Sequence, residues 1–370
     1  MTIRDIPFFN YPALFKSKEV EIMDTIRDVL GRGAYILQKD LSEFENRIKA
    51  YINVKHVFGV ADGTNALILA LHAAGIGRGD EVIVCAHTYI ATAAAVHFVE
   101  ATPVLVECGP DHMIAAAAVS KAITSRTKAI MPTQLNGRTC NMDSLGKIAE
   151  EHNLIIIEDA AQALGSRFKN RFAGTFGTAG TFSFYPAKLL GCFGDGGAVV
   201  TNDDNIAYKL ALLRDHGRNA DGEVVAWGTN CRLDNVQAAI LKLKLKTFGE
   251  DINRRRKIAG LYQDGLGDIP EITLPPAPDA DERHFDVYQN YELEANQRDR
   301  LKKHLAQQGI GTLIQWGGKA VHQNQGLGFD DVRLPVTEKM TSRFLMLPMH
   351  TFLSDIDVEY ICDKVRAFYG

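Results

Sequence analysis

No apolar run in this sequence reaches the roughly 18 residues of a membrane-spanning helix, so no segment is expected to cross a bilayer. An excess of basic charge is also missing. Lys and Arg number 41 against 45 Asp and Glu, a net charge of −4. That balance provides no global field for nucleic acid, although a local phosphate site stays open. Cysteine is sparse and scattered at Cys85, Cys108, Cys140, Cys192, Cys231 and Cys362, with no CxxC pair. These read as reduced thiols of a cytoplasmic protein rather than a disulfide framework. Cysteines and histidines lack metal-ligand spacing and no GxGxxG follows a strand, which sets aside a metal centre and a dinucleotide fold. The opening MTIRDIPFFNYP carries Asp5 early and lacks a continuous apolar signal core. Internal repeats, low-complexity tracts and long linkers are absent as well.

What is present is an ordinary globular composition, 46% hydrophobic and 23% charged over 370 residues, enough chain for about two domains. The first two-thirds alternates short apolar runs with helical stretches. Strands are expected at His56–Val60, Glu81–Cys85, Val104–Glu107, Ala129–Pro132, Leu154–Glu158, Gly180–Tyr185 and Gly197–Thr201. Several are nearly continuous apolar runs, as strands covered on both faces require. Helices are expected at Lys39–Tyr51 and Met142–His152, among others, and the repeated strand–helix–strand order implies a mainly parallel α/β sheet. After about residue 245 the pattern changes. LKLKLK (241–246) alternates like a strand but continues a helical stretch and is read as helix. A charged helix near Asp251–Gly265, the irregular LPPAPDADERHF (274–285), a strand at Val287–Leu293, a helix at Asn296–Gln308, the apolar run Gly311–Trp316 and a closing helix Ser354–Phe368 follow. The division is a large domain over 1–248 and a smaller α+β domain over 249–370.

Several residues in the first part carry chemistry. Lys188 sits in FSFYPAKLLGCFGDGGAVV (182–200), where Pro186 and flanking glycines place it in a loop between two strands. An amine in an apolar loop loses solvation, which lowers its pKa and frees the lone pair that attacks a carbonyl. A surface lysine in an apolar neighbourhood is the plainer alternative. Asp159 ends LIIIEDAAQALG (154–165), at the carboxyl end of a strand, where α/β sheets bind ligands. A carboxylate there either caps the next helix or holds a pyridine nitrogen protonated. Gln162 lies three residues on. Gly63 and Thr64 follow a strand and open NALILALHAAG (65–75), offering backbone donors and a dipole to a phosphate, or an ordinary cap. Ser183 adds a hydroxyl, and Tyr89 in CAHTYIATAAAV (85–96) either stacks on a planar ring or packs in the core. Between Asp159 and Lys188 there is room for a further strand and a turn. Together these residues form the set that pyridoxal phosphate needs.

The blocks DGTNALILAL (62–71), GDEVIVCAHTYIATAAAV (79–96), IIEDAAQALGS (156–166), GTFSFYPAKLLGCFGDGGAVVTND (180–203) and NCRLDNVQAAI (230–240) resemble the sugar aminotransferases of the DegT/DnrJ/EryC1/StrS family. That resemblance implies the fold type I architecture of pyridoxal-phosphate enzymes: a mainly parallel seven-stranded sheet between helices, plus a small C-terminal domain. By resemblance, Lys188 condenses with the cofactor aldehyde, Asp159 partners the pyridinium and Gln162 lies at the ring. Tyr89 stacks, and Gly63, Thr64 and Ser183 hold the phosphate. Asn230 matches a residue that reaches the phosphate of a neighbouring subunit, which implies a homodimer with shared sites. Family members with histidine in place of the lysine are dehydratases, so Lys188 favours amino transfer. Gln134 and Asn136 stand where the family more often shows histidine and tyrosine, and WGTN (227–230) and IQWGGKAVHQ (314–323) also depart from its usual wording.

The implied reaction takes an amino group from L-glutamate, through pyridoxamine phosphate, to a nucleotide-linked keto sugar. The first expectation is dTDP-4-keto-6-deoxyglucose. The competing acceptor is a dTDP-3-keto-6-deoxyhexose, and a non-catalytic cofactor- or sugar-binding regulator is the alternative of another class. Products of the family enter lipopolysaccharide O-antigen, glycans or antibiotics. For the diphosphate, Arg218, Arg232, Lys319 and His322 are substrate-binding candidates, with His216 and His284 beside them.

Overall fold

Seven five-residue strands form the main sheet: β1 (His56–Val60), β2 (Glu81–Cys85), β3 (Thr102–Val106), β4 (Thr127–Met131), β5 (Ile155–Asp159), β6 (Ala179–Ser183) and β7 (Gly197–Thr201). The computed structural model describes residues 3–370. Spatial order is β1-β7-β6-β5-β4-β2-β3, with every neighbouring pair parallel except the two that β7 makes. All seven expected strands are present, three with the expected ends and four with ends displaced by one or two residues.

β2 and β7 are buried at every position, so each face of the sheet has to meet a covering layer. Alternation does the sorting. Val82 and Val84 join one core with Leu67, Leu71 and Val96, from the helices Gly63–Ala73 and Ile90–Phe98. Ile83 and Cys85 face the opposite side, with Leu145 and Ile148 of helix Met142–Glu151. Further along that side, Phe182 and Val200 pack with Leu41, Phe44 and Ile48 of helix Lys39–Ile52. Each such side chain, fully buried, contributes about 1.5–3 kcal/mol.

A second, three-stranded antiparallel sheet combines Ile272–Thr273, Tyr291–Ala295 and Phe344–Leu347. Helices Phe248–Leu266, Arg298–Gln307 and Asp355–Tyr369 cover it, and Ile6 from the N-terminal segment enters the same core. Helix Phe248–Leu266 serves both units. Phe248 and Ile252 belong to the large core, whereas Ile258, Tyr262 and Leu266 belong to the small one. LKLKLK is helical to Lys244 and then tightens into a 3-10 turn. The strand expected from Val287 begins only at Tyr291, because Tyr288 takes a left-handed φ of 50° that breaks the extended run. Gly311–Trp316 is not a strand. Leu313 makes an isolated bridge to Met346, and a 3-10 turn follows over Gln315–Gly318. All six cysteines are buried and free, and no helix among the described residues is long and apolar enough to cross a membrane.

The two units are tied by a buried polar knot. Glu292 Oε1 accepts from His87 Nε2 at 3.1 Å and from Asn136 Nδ2 at 3.0 Å, and His112 Nδ1 lies 3.3 Å away. His112 Nε2 meets Glu294 at 3.3 Å. Burial opposes a charged His112, yet the hydrogen bonds to Glu292 and Glu294 raise its pKa from 6.5 to about 9. A raised histidine stabilises the fold fully below its ordinary value and loses that contribution as pH climbs through the folded value. The stability margin of the wild type over His112→Gln, read from denaturant unfolding, should therefore shrink between pH 6.5 and about 9. A margin constant across that interval would contradict the ion pair.

Candidate active site

The carboxyl ends of β1, β2, β4, β5 and β6 open into one cavity of about 500 Å³. Each strand hands its next residues to it. β1 is followed by Asp62, Gly63 and Thr64; β2 by Thr88 and Tyr89; β4 by Thr133; β5 ends in Asp159, with Gln162 beyond; and β6 ends in Ser183, with Lys188 beyond. This is the edge at which open α/β sheets bind ligands.

Lys188 lies half-buried in the irregular segment between β6 and β7. Burial pushes its amine below the ordinary lysine value, and the Asp159 charge opposes that shift. Asp159 is 5% exposed. Burial raises its carboxyl, while the Thr92 hydroxyl, donating to Oδ2 at 2.7 Å, and the Ala161 N–H, donating to Oδ1 at 3.1 Å, favour the charged form. The neighbouring Glu158 faces away from the cavity. It accepts from Gln134 Nε2 at 2.7 Å and from the N–H groups of Gly174, Phe176 and Gly177 at 2.8, 2.5 and 2.9 Å. The pleat separates two adjacent carboxylates into a loop clamp and a cavity wall.

Gly63 opens the helix Gly63–Ala73, which Asp62 caps by accepting from Asn65 N at 2.8 Å. A Cβ at Gly63 would stand 2.8 Å from Ser183 Cβ, so only glycine lets the helix start approach β6 this closely. Backbone donors and the Ser183 hydroxyl therefore converge on one corner. Tyr89, 55% exposed, stands at the cavity mouth with Trp316, ring centroids 6.4 Å apart. Gln162 Oε1 accepts from Asn136 N at 2.9 Å and from Asn290 Nδ2 at 3.2 Å, which fixes its amide at the cavity wall.

Seven of the eight residues expected around a cofactor thus line one cavity: Gly63, Thr64, Tyr89, Asp159, Gln162, Ser183 and Lys188. Asn230 does not line it; it is exposed and bridges Asp215. The four substrate candidates also lie off it. Arg232 pairs with Asp215 at 2.8 Å and Arg218 with the same carboxylate at 3.6 Å. His322 is buried against Glu338 at 2.9 Å, and Lys319 is exposed. His284 is held near Asp281 and Phe168 instead. Sequence reasoning passed over the hydroxyl chain Thr133–Thr88–Thr92, linked at 2.8 and 2.7 Å, that ends on Asp159. Phe9, Gln289, Asn290 and Leu313 were also missed as cavity walls. The one available signal was the cluster of threonines in HTYIAT (87–92), directly after a strand.

The model of the DegT/DnrJ/EryC1/StrS aminotransferase family matches residues 16–366. The dTDP-3-amino-3,4,6-trideoxy-alpha-D-glucose transaminase of Streptomyces venezuelae is 40% identical over 368 residues, 98% of this chain and 96% of that protein. The dTDP-3-amino-3,6-dideoxy-alpha-D-galactopyranose transaminase of Aneurinibacillus thermoaerophilus is 38% identical over 366 residues, 98% of this chain and 99% of that one. The crystal structure of S. venezuelae DesV in complex with a ketimine intermediate superposes with a TM-score of 0.94 at 39% identity, covering 99% of this chain and 98% of that one. Solved aminotransferases of this fold include forms with pyridoxamine phosphate and pyridoxal phosphate.

Because the Asp159 charge raises the Lys188 pKa, Asp159→Asn should lower it further. The check is the pH dependence of Lys188 labelling by an amine reagent in the cofactor-free protein, read by mass spectrometry. A midpoint that stayed put or rose would show that the two charges do not feel each other.

Proposed function

The chain belongs to the DegT/DnrJ/EryC1/StrS aminotransferase family, and from that premise we propose that it moves the amino group of L-glutamate to the 3-keto carbon of a dTDP-linked 6-deoxyhexose. It is a pyridoxal-phosphate-dependent transaminase of the nucleotide-sugar class. Of the two acceptors that the sequence leaves in competition, the 3-keto sugar is preferred over the 4-keto sugar. Support comes from the two relatives above, whose names both specify 3-amino sugars.

The observation that carries the reading is the meeting of the Lys188 amine and the Asp159 carboxylate in one cavity. The residues present fit the cofactor: a glycine-made corner with backbone donors and a hydroxyl for a phosphate, a buried carboxylate, and an amine with lowered pKa. Bound there, pyridoxal phosphate supplies an aldehyde that carries the amino group and a ring that takes up electrons. Lys188 would hold the cofactor through its Nζ, and that Nζ, once free, would take up and return the proton of the donor α-carbon. Asp159 would face the ring nitrogen and favour its protonated form, with Thr92 and Ala161 holding the carboxylate in place. Tyr89 would cover the ring, Thr64, Gly63 and Ser183 would bind the phosphate, and Gln162 would stand at the ring edge. Phe9, Leu313 and Trp316 give the sugar an apolar wall.

A homodimer completes the site in this reading. The segment 215–230 carries Val224, Val225 and Trp227 at 67%, 52% and 96% exposure, an apolar tip that solvent disfavours. Seated on a second copy, it brings Asn230 to that copy's phosphate corner. The buried free thiols fit a cytoplasmic setting.

Purified enzyme, glutamate and either the dTDP-3-keto or the dTDP-4-keto sugar should give an aminated product, by mass spectrometry, with the 3-keto isomer. Lys188→Ala should abolish turnover. Amination of the 4-keto isomer alone would reverse the choice of carbon. Light scattering should report two chains per particle, and Asn230→Ala should weaken pyridoxamine phosphate binding about tenfold, the loss of one charge-assisted hydrogen bond. A monomer with full affinity would remove the shared site.

A further inference from the structure

One side chain grips the peptide groups on both sides of Lys188. Gln289 Nε2 donates to the Ala187 carbonyl at 2.7 Å, and the Leu189 N–H donates to Gln289 Oε1 at 2.7 Å. A primary amide offers a donor and an acceptor side by side, so it pairs with a peptide segment as a neighbouring strand would. The segment needs such a partner, because the chain between β6 and β7 has no regular element of its own around Lys188. Gln289 is itself fixed. It is 5% exposed, and Arg255 Nη1 donates to its carbonyl at 3.0 Å and to that of Tyr288 at 3.1 Å. On its other flank Gly137 packs so closely that a Cβ there would lie 2.6 Å from Gln289 N.

The rest of the loop does not depend on this clamp. Gln237 pairs with both backbone groups of Phe193, at 2.9 and 3.2 Å, and Lys244 donates to the Gly191 carbonyl at 2.5 Å. Gln289 therefore acts on the stretch 187–189, where the Lys188 N–H also donates to the Tyr185 carbonyl at 2.8 Å.

We propose that Gln289 is a positioning residue for the transamination: its amide sets the backbone of Lys188 so that the ε-amine enters the cavity at the height of Asp159. Two ordinary hydrogen bonds add only modestly to global stability. A reactive group displaced by about 1 Å, in contrast, costs on the order of a hundredfold in rate. The inference rests on reading Lys188 as the amine that captures the cofactor.

The test separates covalent from non-covalent binding. Pyridoxal phosphate needs Lys188 to be captured, whereas pyridoxamine phosphate occupies the same cavity without bonding to it. In Gln289→Met, the rate of pyridoxal phosphate capture, followed by absorbance, should fall about tenfold or more, as misplacement requires. Pyridoxamine phosphate affinity should fall severalfold less than the capture rate, and the melting temperature should drop by roughly a few degrees. Gln289→Asn, which keeps the amide but falls one methylene short, should show the same selective slowing and decides the matter if the Met variant does not fold. Equal losses for both ligands would make Gln289 merely structural, and unchanged capture in both variants would remove its role. In wild type, borohydride trapping and peptide mapping should place the cofactor on Lys188. A label on another lysine would overturn the reading of Lys188 itself, whatever the variants do.

Discussion

Two opposite charges, Lys188 and Asp159, are held in a cavity that strips both of much of their water, and their solvation is unequal by construction. Asp159 regains donors from Thr92 and Ala161. Behind Thr92 stand Thr88 and Thr133, so the buried carboxylate ends a line of hydroxyls that can orient towards it. For Lys188 the Asp159 charge is what opposes desolvation. Burial thus moves the Asp159 carboxyl up and the Lys188 amine down, towards its neutral, nucleophilic form, while each group's charge opposes the other's shift. Three strands have to end at one edge for this to happen, because donors for Asp159 come from segments after β2 and β5 while Lys188 arrives beyond β6.

A second dependence runs through four consecutive residues. Gln289 holds the Lys188 segment, Asn290 donates to Asn136 and Gln162, Tyr291 enters the small core, and Glu292 takes His87 and Asn136 with His112 close by. The stretch straddles the start of the strand at Tyr291, so Gln289 and Asn290 serve the cavity while Tyr291 serves the small unit's core. A shift of the small unit is therefore felt at the reactive lysine and at the ring-edge amide together. The unit is part of the site and not an appendage to it.

What was legible in the sequence is what is local. A continuous apolar run followed by a turn with a polar residue marks both a buried strand and its functional end, and β1, β5 and β6 each deliver the expected group: Gly63 and Thr64, Asp159, Ser183 and then Lys188. The partners that tune these groups are remote in sequence. Thr92 lies 67 residues from Asp159, and Gln289 lies 100 residues from Leu189. No periodicity reports such pairings. Charged residues chosen by type alone went elsewhere for a related reason, since Arg218 and Arg232 meet Asp215 and His322 meets Glu338. A guanidinium suited to a diphosphate is equally suited to a nearby carboxylate, and its own sequence does not distinguish the two.

The division between regular and irregular backbone also sorts the cavity wall. Groups suited to the cofactor sit at strand ends and a helix start, whose geometry the sheet imposes. The rest of the wall includes stretches 132–143 and 314–323, which contribute Thr133, Leu135, Gln315 and Trp316. There the chain is strained: Trp316, Gly317 and Gly318 take φ values of 49°, 70° and 73° in succession. A tryptophan in the left-handed region costs on the order of 1–3 kcal/mol and persists only when its surroundings hold it. His87 does so here, with ring centroids 5.1 Å apart, and His87 is itself tied to Glu292. The aromatic at the cavity mouth is thus supported through the same knot that joins the two units.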